Sequence, residues 1–80
     1  MNVYRHNFVV ECPNNGNKIG YSLTIETRDR IMVEQIVEKC NVGTGFHEDL
    51  AEAFHDWWGG RQTMVAFHHG VWITTTRGDV

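Results

Sequence analysis

The sequence predicts an α+β domain: a four-stranded, mostly antiparallel sheet with two helices packed on one face, in the order ββααββ. Three observations carry this. Two stretches near the start alternate apolar and polar residues around an Asn-Gly loop. The middle of the chain holds two apolar stripes at helical spacing. A second pair of strand-like stretches closes the chain around His69-Gly70. At 80 residues this is one domain, spanning 1–80, and its 41% hydrophobic content suffices for a core.

In residues 3–12, Tyr4, His6, Phe8, Val10 and Cys12 share one face of a strand. In residues 18–26, Ile19, Tyr21, Leu23 and Ile25 alternate with Lys18, Gly20, Ser22, Thr24 and Glu26, the clearest half-buried strand in the chain. Pro13 to Asn17 join the two as a hairpin loop, with Asn15-Gly16 supplying positive φ. A first helix is expected from about Asp29 to Cys40, capped by Thr27 or Asp29, with Met32, Val33, Ile36, Val37 and Cys40 facing inward. A second is expected from about His47 to Trp58. Its buried stripe reads Leu50, Ala53, Phe54 and Trp57, flanked by Ala51 and Trp58, and Gly59-Gly60 stops it.

Residues 62–68 and 71–76 form the second hairpin. Phe67 faces Trp72 across it, with Val65 and Thr74 beside them; Met64, Ala66, Val71 and Ile73 occupy the other face. Both faces are apolar, so the pattern leaves the buried one open. The tail from Arg77 to Val80 reads as frayed.

Charge is distributed unevenly. Asp29, Glu34, Glu38, Glu48, Asp49, Glu52 and Asp56 are set against only Arg28, Arg30 and Lys39 in segment 27–58, so the helical middle carries −4 and the rest of the chain +1, for a total of −3. Glu48, Glu52 and Asp56 recur every four residues and repel one another, as do Glu34 and Glu38; each such pair costs a few tenths of a kcal/mol. Charge maintained against local stability points to a positively charged partner, although the same carboxylates also read as an ordinary solvated face.

Other chemistry finds little support. His47 and His55 are eight residues apart, roughly 12 Å along a helix, and cannot share a metal unaided. His68 and His69 are adjacent and point apart. Cys40 at a helix C-terminus meets the negative end of the dipole, which raises a thiol pKa, and Cys12 ends an apolar strand face. Gly43-Thr44-Gly45 is too short for a phosphate loop. No catalytic, cofactor or metal site is expected. Aromatics on an open sheet can stack bases, but seven basic residues argue against direct nucleic-acid binding. The two cysteines read as buried thiols in a reducing cytosol. Met1 begins no apolar leader and no run reaches membrane length, so a cytoplasmic protein without a membrane role is expected.

In size and organisation the chain resembles the small phage-encoded proteins that act against host defence, the anti-CRISPR inhibitors. The matching features are the 80-residue length, two amphipathic helices on a short sheet, and the carboxylates Glu34, Glu38, Glu48, Glu52 and Asp56. The resemblance implies stoichiometric binding in a bacterial cytoplasm, to a basic surface of a nucleic-acid-processing complex, by a local patch more than by wholesale DNA mimicry. The expected partner-binding residues are Glu34, Glu38, Glu48, Asp49, Glu52, His55, Asp56 and Trp58. The alternatives are a regulatory or nucleic-acid-binding module using the aromatic sheet face, and a small metal-binding domain; a homodimer through the sheet is compatible with all three.

Overall fold

In the computed structural model, which describes residues 1–80, strands β1 (Asn2–Glu11) and β2 (Lys18–Thr27) pair antiparallel from Asn2–Thr27 to Glu11–Lys18. The loop between them closes through Cys12 N–H to Asn17 carbonyl (2.8 Å) and Gly16 N–H to Cys12 carbonyl (2.9 Å), with Gly16 at φ 72°. Strands β3 (Arg61–His68) and β4 (Val71–Arg77) form the second hairpin, and β3 pairs with β2 to give the sheet order β1-β2-β3-β4. His69 and Gly70 both take positive φ, 51° and 78°, as the tightest hairpin turn requires. The expected fold class is therefore observed, with helices α1 (Val33–Cys40) and α2 (His47–Trp58) between the hairpins.

The register settles which face of β3 is buried. Leu23 pairs with Met64 and Tyr21 with Ala66, so Met64 and Ala66 share the face of the β2 core residues. Leu23, Ile25, Met64, Val10 and Cys40 are the largest fully buried side chains. Phe67 and Trp72 face solvent on the opposite side.

Helix α1 begins at Val33, four residues later than expected. Thr27 Oγ1 accepts from Asp29 N–H (3.0 Å), and Ile31 N–H donates to the Tyr4 hydroxyl (3.1 Å), which ties this segment to β1 before a helix can start. The expected Thr27 or Asp29 cap is replaced by Met32, which makes no side-chain cap bond. Only Ile36 and Cys40 of the expected stripe are buried; Met32, Val33 and Val37 are more than half exposed. The reason is placement: α1 lies over the edge strand β1 alone, so one narrow line of the helix meets the core.

Helix α2 lies over β3 and β4, and its inward line is His47, Leu50, Ala51, Phe54 and Trp58. Ala53 and Trp57, expected in the stripe, face solvent. Either line satisfies helical periodicity. The choice is set at the first residue, where His47 Nε2 lies 2.8 Å from Thr75 Oγ1 on β4. At the other end, Gln62 Nε2 donates to the carbonyls of Phe54 (3.0 Å) and Gly59 (2.8 Å), satisfying two acceptors of the last turn. Arg77, expected in the frayed tail, belongs to β4 opposite Gln62, and Gly78 follows close to Gly60 and His55.

Candidate functional site

The acidic residues follow directly from the helix placement. Each helix commits one line to the core, and charge is excluded from that line because an unpaired buried carboxylate costs several kcal/mol. Glu34 and Glu38 on α1, and Glu48, Asp49, Glu52 and Asp56 on α2, are all exposed. None of the six forms an ion pair within the chain. The ion pair the protein does make, Glu26 with Arg61 at 3.5 Å, lies on the other side of the sheet.

Lys39 is the basic residue closest in sequence to these carboxylates, and it is engaged elsewhere. Its Nζ sits 3.9 Å from the centroid of the Trp57 ring. Helices α1 and α2 make no close backbone approach, so this stack is a side-chain bridge between them. The acidic surface is consequently divided between Glu34 and Glu38 on α1 and the four carboxylates of α2, and the Lys39–Trp57 contact bridges the two helices.

The remaining expected site residues divide. His55 is half-buried, with its ring against Gly78. Trp58 is half-buried and tilted on Phe54, centroids 5.6 Å apart, with Nε1 enclosed and unpartnered. Trp58 is thus chiefly a core residue, and the exposed tryptophan of α2 is Trp57, at 57% exposure. The Gly59-Gly60 stop gave no hint of which tryptophan would turn inward.

The open side of the sheet is a second surface. Phe67 and Trp72 face each other there with centroids 4.7 Å apart, Trp72 being 70% exposed. Val9 and Val65 border a shallow depression of about 410 Å³ floored by Gly20 and Ser22. Its charges nearly balance, since Lys18 pairs in register with Glu11 and Arg61 with Glu26, leaving Arg5 opposite Thr24.

Titratable groups in the core are held neutral. Burial pushes the Cys40 thiol up to about 11, the direction expected from the helix C-terminus but with desolvation as its cause. Burial lowers the His47 pKa, against an opposing pull from Glu48. It raises the Tyr21 pKa, with Cys12 and Glu48 adding to the effect. The His68 and His69 rings, expected to point apart, instead meet edge to face with centroids 4.3 Å apart, but no trio of His, Cys, Asp or Glu side chains is grouped so as to hold a metal ion. No helix is long and apolar enough to cross a membrane. No family model, curated protein or solved structure matches the chain.

Proposed function

We propose that this protein is a small non-catalytic binding protein, a stoichiometric inhibitor of the anti-CRISPR type acting in a bacterial cytoplasm. The acidic helix surface docks on a basic, nucleic-acid-binding surface of a target protein complex. One observation carries the reading: six exposed helix carboxylates are unpaired, while Lys39 is held over Trp57. Unpaired carboxylates are available to arginine and lysine of a partner, speed its approach and select against acidic competitors. Trp57, exposed on the same helix as four of these carboxylates, supplies the aromatic anchor that interfaces favour.

The test is affinity capture from bacterial lysate at low and high salt, with native protein and the Glu48→Lys/Glu52→Lys variant side by side. A nucleic-acid-processing complex retained by the native chain, lost on charge reversal and lost in high salt supports the reading. Retention by both chains rejects it, provided the circular dichroism spectra agree.

A second reading rests on Phe67 and Trp72, whose exposed pair on the open sheet is the kind of platform on which unpaired bases stack. It requires that oligonucleotides quench tryptophan emission at low salt and that Trp72→Ala removes the quenching. Unchanged emission eliminates it.

A further inference from the structure

At the N-terminal end of α2 a cavity of about 180 Å³ opens between the first hairpin loop, the start of the helix and the β3–β4 hairpin. Its size matches a single substituted ring; cavities of roughly 150 Å³ admit benzene. Ile19, Phe46 and Ile73 supply apolar wall, and Asn14, Tyr21, Glu48 and His68 supply polar side chains.

His47 and Tyr21 form the rigid part of this wall. His47 is 6% exposed; its Nε2 is bonded to Thr75, and its Nδ1 is buried with no hydrogen bond. That nitrogen is enclosed by the surrounding packing and is not open to a ligand. Tyr21 is 4% exposed and stacks on the His47 ring at 5.5 Å, and Tyr21 and Glu48 line the same cavity. The Glu48 carboxylate has no cation within the chain. The cavity is thus lined by Glu48, Tyr21, Asn14 and His68, whose side chains can each accept a hydrogen bond, and by no lysine or arginine. An anion would meet the exposed amides of the helix start, but Glu48 and Asp49 in that first turn oppose it. An ammonium group carries three donors and no acceptor, which is the complement of these walls.

We propose that this cavity binds a small primary ammonium compound, its body against Ile19, Phe46 and Ile73 and its –NH3⁺ on Glu48 and the Tyr21 hydroxyl. The site is separate from the protein-docking surface except for Glu48.

Benzylamine is the probe, with benzyl alcohol and benzoate as uncharged and anionic controls, titrated into isotopically labelled protein by two-dimensional NMR. Benzylamine is expected to shift resonances of residues 45–48, Tyr21 and Ile73, and to bind about tenfold or more tightly than benzyl alcohol, with benzoate inert. Glu48→Gln abolishes that advantage, and Tyr21→Phe weakens it while leaving the acidic helix surface, and partner capture, intact. Equal binding of the alcohol, shifts spread along the acidic helix face, or no shifts at about 10 mM amine would each overturn the proposal.

Discussion

Lys39 and Trp57 form the direct side-chain link seen between the outer surfaces of the two helices, with Nζ 3.9 Å from the ring centroid. The stack ties α1 to α2, the two helices that carry the exposed carboxylates. Exposed cation–π pairs contribute about 0.5–1 kcal/mol, so Lys39→Ala should lower unfolding free energy by that amount in urea. A double-mutant cycle with Trp57→Ala isolates the coupling; strictly additive losses would show that the stack contributes nothing. Because the substitution removes a positive charge beside the carboxylates, capture of a basic partner should persist or strengthen.

Much of the fold was legible because one face of most strands is decisively apolar. The Ile19, Tyr21, Leu23, Ile25 alternation leaves one arrangement, and Asn15-Gly16 and His69-Gly70 mark the turns. The second hairpin was ambiguous for a physical reason. Phe67 and Trp72 are as apolar as Met64 and Ala66, and the choice between them rests on the Leu23–Met64 register, set by a strand about 40 residues away in sequence. The same holds for α2, where two lines fit helical periodicity and the His47–Thr75 bond selects one. The exposure of Glu34, Glu38, Glu48, Asp49, Glu52 and Asp56 was readable from the cost of burying charge. The cavity at Tyr21, His47 and Glu48 was not, because β2, α2 and β4 meet there only in three dimensions.

His47 makes stability depend on pH. Its folded pKa lies below the unfolded value of about 6.5, since burial disfavours the imidazolium. Above the unfolded value both states are neutral and the contribution is complete. As pH falls below it, the unfolded chain takes up a proton that the folded chain refuses, so stability drops until the folded pKa is reached. Urea midpoints measured between about pH 7.5 and 5 should therefore fall on acidification. His47→Gln, which retains a group able to reach Thr75, should remove that part of the slope. An unchanged slope would mean that other groups carry it.

Cys40 should be inert while the protein is folded. It is fully buried and its thiol is pushed up to about 11, so little thiolate exists at pH 8 and reagent cannot reach it. In a Cys12→Ser background, Ellman's reagent should label Cys40 only as fast as the chain opens, and within seconds in about 6 M urea. Rapid labelling of the native variant would show that α1 lifts from β1 readily, and that its single buried line holds it less firmly than the packing indicates.

Gly78 closes the end of the sheet over α2. It takes φ 78°, and a Cβ there would collide with the Gly60 carbonyl oxygen and the His55 Nε2. Gly78→Ala must therefore strain the backbone, displace the His55 ring or release the tail, and should cost about 1–3 kcal/mol. The alternatives separate by experiment. A His55→Ala/Gly78→Ala double variant removes the ring collision while keeping the positive φ and the Gly60 clash. If the double variant is no less stable than His55→Ala alone, the cost of Gly78→Ala is the ring contact. If the full loss persists, it belongs to the backbone. In the first case the Gly78→Ala tail should also push His55 toward the acidic surface beside Asp56, and binding of a basic partner should change with it. In the second, binding should follow stability alone.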